Sequence, residues 1–100
     1  MPQLTPLESL EEQPTDAAVT IRATLAGLQL KRNKLGELWA TMRLTQDETL
    51  VTVLVFARAF AAIPAGTLTP EVMLTFDARV LRNSDGTVRL TPVTTPELAR

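Results

Sequence analysis

Apolar and polar residues alternate with a period of two over most of the chain beyond Ala18. Val19, Ile21, Ala23 and Leu25 alternate with Thr20, Arg22 and Thr24, the spacing of a strand with one buried face. The alternation slips at Gly27, leaving Leu28 and Leu30 as the next expected core positions, and a glycine at a slip marks a bulge or a bend. After the polar stretch Lys31 to Gly36, Leu38, Ala40, Met42 and Leu44 form an inward series against Trp39, Thr41 and Arg43. Gln46 to Glu48 make a tight turn into a third strand, Leu50 to Phe56, whose Val51, Val53 and Val55 share one face. Ala57 to Ile63 is helical in composition and is stopped by Pro64 and Gly66. Leu74, Phe76, Ala78 and Val80 mark a fourth strand, Asn83-Ser84-Asp85-Gly86 a hairpin turn, and Val88 with Leu90 a fifth strand.

Five strands, with a bent first strand and a short helix between the third and fourth, predict an all-β, five-stranded OB-fold, a Greek-key barrel. An SH3-like barrel is the rival, but it usually lacks a helix there and a long first strand shared by both halves. Residues 17–95 are the expected domain. Met1 to Asp16 holds three of the seven prolines and little periodic pattern, so an extended, separate acidic segment is expected there. Residues 96–100 read as a C-terminal tail. Phe56 and Phe60, four apart, are expected to pack with Ile63 inside the barrel mouth, and Phe76 belongs to the inward series.

Charge refines this picture. The 100 residues carry a formal net charge of −1, which argues at first against a polyanionic partner. Glu8, Glu11, Glu12 and Asp16 all precede the first basic residue, however, and from Ala17 onward ten basic residues face seven acidic ones, a net +3. The chain lacks cysteine and histidine, so thiol nucleophiles, imidazole bases and zinc-thiolate sites are excluded. The carboxylates Glu37, Asp47, Glu48, Asp77 and Asp85 form no metal-ligand pattern, and no phosphate cradle or nucleophile elbow occurs. A non-enzyme without cofactors is expected. No apolar run approaches the ~20 residues of a membrane span, and the acidic N-terminus lacks signal-peptide zones; a cytoplasmic protein is expected.

Leu25-Ala26-Gly27-Leu28, the basic turn Lys31-Arg32-Asn33-Lys34-Leu35-Gly36, Trp39-Ala40, Leu44 with Asp47 following, and Val53-Leu54-Val55-Phe56 occur in an order and spacing that resemble a known family. This is the group of nucleic-acid-binding OB domains found near the C-terminus of the bacterial replicative DNA polymerase III alpha subunit, with relatives among the anticodon-binding domains of class II tRNA synthetases. The resemblance covers strands one to three closely and strands four and five by pattern. Thr41 stands where these domains often have a larger, frequently aromatic residue, and Ala78 where a glycine is common. The resemblance implies single-strand binding by an OB module standing alone, although the same fold also mediates protein contacts.

Single strands are held by cations that follow the phosphates and by aromatic faces that stack bases, at ~1–3 kcal/mol per base. If Leu38, Ala40, Met42 and Leu44 face the core, then Trp39, Thr41 and Arg43 face outward. Trp39, the single tryptophan, is the candidate stacking platform and Arg43 a phosphate or base-plane contact. Thr52 and Leu54 share that outer face. Lys31, Arg32 and Lys34 are the expected backbone clamp between strands one and two, and Arg82 and Arg89 a second clamp flanking the loop between strands four and five. The ordinary structural roles of these residues, a solvated turn, a hairpin, or a tryptophan covered by a loop or a partner, stand beside this reading.

The favoured function is thus a non-catalytic, sequence-tolerant binder of single-stranded DNA or RNA, DNA first. A protein-interaction module of a replication, recombination or phage complex is the alternative, suggested by Leu54 beside Trp39 and by the acidic segment. A homo-oligomer built on an edge strand is the third reading.

Overall fold

A computed structural model of the chain describes residues 4–64 and 66–99. Its elements are a 3₁₀ helix (Leu7–Glu12), β1 (Ala18–Arg32), β2 (Leu38–Gln46), β3 (Thr49–Val55), α1 (Ala57–Ala62), β4 (Met73–Arg82), β5 (Val88–Pro92) and a short β6 (Glu97–Leu98). The strands hydrogen-bond in the order β1-β2-β3-β5-β4, and β4 returns to β1, closing the sheet into a barrel. Every contact is antiparallel except that between β3 and β5. This is the five-stranded OB-fold with its helix between β3 and β4, as the alternation predicts.

Closure depends on β1. Its first half pairs with β4, from Ala18 opposite Arg79 to Thr24 opposite Met73. Its second half pairs with β2, ending with Arg32 opposite Leu38. The register shifts between Leu25 and Gly27, the bulge foreseen from the broken alternation, and this bend lets one strand serve both walls.

The β2–β3 hairpin turns on Asp47 and Glu48, with φ of 47° and 70°. Two consecutive left-handed residues give a turn whose twist matches the flanking strands, although Asn-Gly is the pair that adopts it at least cost. The inward series predicted for each strand packs the core: Ile21, Leu25, Met42, Leu44, Val53, Val55, Leu74, Val80 and Leu90 are fully buried.

Three expectations are corrected. The segment before Asp16 is not separate from the domain: Leu7 and Leu10 are each only 2% exposed and belong to the core cluster. Two leucines three apart on a tight helix point the same way, and here they stopper the barrel end at which β3 and β5 begin. Gln46 fixes them there, its Oε1 accepting from the Leu7 N–H at 3.0 Å while its Nε2 donates to the Arg22 carbonyl at 2.8 Å. Thr5 N–H donates to the Thr20 carbonyl and Asp16 N–H to the Val80 carbonyl, both at 2.8 Å. Residues 1–3 of that expected segment lie outside the described residues.

The second correction concerns the C-terminal residues. Pro96 is buried, β6 adds to β4 beyond the end of β5, with Leu74 opposite Leu98, and Ala99 N–H donates to the Met73 carbonyl. The third concerns Leu28, Leu30 and Leu38, read as core. They have inward parity, since Leu28 lies opposite Met42 and Leu30 opposite Ala40, yet all three are exposed. The outer half of β1 runs past the closed barrel, so its inner side faces a groove rather than the core. α1 plugs this opposite end through Ala59, Phe60 and the following Ile63.

Candidate nucleic-acid interface

The outer wall of β1, β2, β3 and β5 carries three rows of side chains fixed by the strand register. Lys31 stands opposite Trp39, and Phe56 follows directly in line, because Ala40 is opposite Val55. Gln29, Thr41 and Leu54 form the second row. Gly27, Arg43, Thr52 and Arg89 form the third. The rows span four residues of strand, about 13 Å.

The first row is aromatic and cationic. The rings of Trp39 and Phe56 lie 6.2 Å apart, tilted by 31°, and Lys31 Nζ sits 5.3 Å from the indole centroid. Trp39 is half-buried by these neighbours, and Phe56 is 52% exposed. That corrects the assignment of Phe56 to the core. Phe56 precedes α1 in extended conformation, φ −66° and ψ 164°, so the helical i,i+4 relation to Phe60 does not apply to its side chain. It keeps the outward parity of Thr52 and Leu54, and that parity was the available sequence signal. A shallow concavity beside the two rings is bounded by Arg32, Asn33, Lys34, Ala57 and Arg58. Arg58, on the first turn of α1, was missed because nothing local in the sequence connects it with Trp39.

In the third row, Arg43 lies across the bulge: a Cβ on Gly27 would stand 3.8 Å from Arg43 Cδ. That is an ordinary contact distance, so the arginine stem packs along the bulge without requiring a glycine there. Arg43 and Arg89 are both exposed and flank Thr52.

The two hairpin loops sit at opposite ends of this wall and share one construction. In Arg32-Asn33-Lys34-Leu35-Gly36, Asn33 Oδ1 accepts from the N–H groups of Leu35 and Glu37, each at 2.9 Å, and Gly36 takes φ of 80°. Arg32 Nη1 donates to the Gly36 carbonyl at 2.7 Å, so this cation also braces its own loop. Lys34 is exposed at the tip.

In Arg82-Asn83-Ser84-Asp85-Gly86, Asp85 takes the bracing role. Its Oδ1 accepts from the Thr87 hydroxyl and from the Thr87 N–H at 3.0 Å. The Thr87 hydroxyl, foremost, holds the Asp85 carboxyl below its ordinary value, with lesser help from the Thr87 backbone and the charge of Arg89.

Arg82 does not join the wall. It has the inward parity of Leu74, Phe76, Ala78 and Val80, which carries it to the stoppered end of the barrel. There one guanidinium nitrogen donates to the Glu11 carbonyl at 2.9 Å and the Gln13 carbonyl at 2.8 Å. The expected clamp residue is an anchor for the N-terminal segment. The remaining candidates, Lys31, Arg32, Lys34, Trp39, Thr41, Arg43, Thr52, Leu54 and Arg89, do lie on one wall and its bordering loop. Lys31, Arg32, Lys34 and Arg58 lie at the α1 end, with Glu37 in the same loop, while Glu8, Glu11 and Asp85 line a depression at the other end together with Arg89.

No family model and no curated protein sequence matches the chain. Solved structures do. The chain is similar to the p204 HINb domain (TM-score 0.72, 16% identity, covering 97% of this chain and 47% of that one). It is also similar to aspartyl-tRNA synthetase from Entamoeba histolytica (TM-score 0.71, 17% identity, 99% and 22%). A third neighbour is Rim1, a mitochondrial single-stranded DNA binding protein of S. cerevisiae (TM-score 0.62, 8% identity, 87% and 97%). The chain spans less than half the length of the first two. These likenesses show the fold: the protein is an OB-fold domain.

Proposed function

We propose that this protein binds single-stranded nucleic acid, DNA in the first instance, without catalysing a reaction on it and with little sequence preference. The observation that carries the reading is the pairing of the exposed Phe56 ring with Trp39 on a wall whose face and bordering loops also carry Lys31, Arg32, Lys34, Arg43, Arg58 and Arg89. Bases stack on the two rings, a contact open to any base because every base has a π-face. Arg43 and Arg89 take phosphates at one end of the wall, and Lys31, Lys34 and Arg58 take them at the other. Thr41 and Thr52 supply hydroxyls between them. The OB-fold of a protein named as a single-stranded DNA binding protein supports the reading at the level of architecture. No helix among the described residues is long and apolar enough to cross a membrane; a cytoplasmic setting in DNA replication is part of the proposal.

The test is a titration of labelled single-stranded DNA, single-stranded RNA and duplex at two salt concentrations while Trp39 emission is followed. Quenching by single strands, weakened by salt, is expected. Trp39→Ala and Phe56→Ala each cost about 1–3 kcal/mol of binding; affinities equal to wild type for both variants reject the assignment. A protein partner is the second reading, favoured by the exposed leucines beside β1. Capture of one defined protein that survives nuclease treatment, without oligonucleotide binding, would establish it.

A further inference from the structure

We infer that two copies of this chain join edge to edge through the outer half of β1, in antiparallel register centred on Gln29. From Gly27 to Arg32, β1 is paired with β2 on one side, and among the described residues no strand lies along its other side. The pairing with β4 stops at Thr24, and the N–H and carbonyl of Leu25 are taken by Val72 and Glu71. The open edge therefore begins at Ala26. An unprotected edge is a template for another strand. Leu28 and Leu30, 40% and 55% exposed, face the inner side of the sheet without reaching the core. With Leu38 they border an apolar groove of about 540 Å³ closed on its far side by α1.

The segment itself selects a second copy as the occupant. Antiparallel pairing about Gln29 sets Leu28 against the partner copy's Leu30 and Leu30 against its Leu28, making a continuous leucine ladder on the inner side. The same register sets Lys31 against Gly27 and Arg32 against Ala26, so no like charges meet. A register centred on Leu30 puts Arg32 against Leu28, and one centred on Lys31 brings the two lysines together. The two-fold axis runs through the sheet, so both outer walls emerge on the same side. If the single-strand reading holds, the two Trp39–Phe56 platforms form one longer track.

Light scattering on the protein alone is expected to give twice the 10.9 kDa of one chain. Because the chain has no cysteine, Gln29→Cys tests the register directly. Residues directly opposite in an antiparallel pair have Cα atoms about 4.5–5.5 Å apart, within the roughly 4.4–6.8 Å that a disulfide spans. Mild oxidation is expected to convert most of this variant to a cross-linked dimer, while Leu50→Cys, exposed at the other barrel end, stays uncross-linked. Leu30→Arg, at an exposed position, is expected to give a folded monomer by circular dichroism and scattering. A wild-type mass of one chain, a Gln29→Cys variant that cross-links no better than Leu50→Cys, or a Leu30→Arg variant that still dimerises each overturns the inference. These measurements need no nucleic acid, so they stand or fall separately from the binding proposal.

Discussion

The value of each charged residue depends on which parity its position has. Arg43 and Arg89 project from the outer wall, whereas Arg82, with inward parity, ends on the carbonyls of Glu11 and Gln13. Single-strand affinity falls with salt with a slope of about −0.7 per phosphate contact. Arg43→Ala and Arg89→Ala should each reduce the slope by about that amount in titrations across a salt series. Arg82→Ala should leave the slope unchanged and lower stability by about 1–2 kcal/mol in urea unfolding, through loss of two charge-assisted hydrogen bonds. Asp85 gives a pH signature. Its folded pKa is lowered, so its contribution to stability is present above the ordinary aspartate value and is lost as pH falls through the lowered one. Thr87→Val removes the hydroxyl that contributes most, and the Asp85 carboxyl titration followed by NMR should move upward towards the ordinary value.

At the scale of elements, the N-terminal 3₁₀ helix and the β2–β3 hairpin carry opposite lessons. The helix is polar on average, and its four neighbouring acids made it read as a tail; two leucines alone decide its place. Leu10→Ala is expected to cost about 2–5 kcal/mol, the range for emptying a buried leucine site; a change below about 0.5 kcal/mol in thermal or urea unfolding would return this segment to the solvent. The hairpin was legible as a turn, but not its left-handed Asp47 and Glu48. Replacing the pair by Asn-Gly relieves conformations that cost ordinary residues roughly 1 kcal/mol each, and the midpoint of thermal unfolding should rise.

The whole molecule is a barrel stoppered by the 3₁₀ helix at one end and by α1 at the other. The net charge of −1 does not describe the face bearing Trp39, where Arg43 and Arg89 are exposed. In this barrel β1 matters twice. Its first half closes the barrel, and its second half extends the wall past the core, leaving leucines of inward parity uncovered.

What the sequence by itself determined is the parity of the five barrel strands, the bend at Gly27, the hairpin loops and hence the OB-fold. It also placed Trp39, Arg43, Thr52 and Leu54 on one wall, because alternation along a strand is a local property of the backbone. Only the tertiary structure decided which inward positions are covered: Leu7, Leu10 and Pro96 are, while Leu28, Leu30 and Leu38 are not. It likewise set Phe56 and Arg58 beside Trp39 and drew Arg82 to the N-terminal segment. Covering a side chain requires a neighbour distant in sequence, and no periodicity within one segment specifies where that neighbour comes to rest.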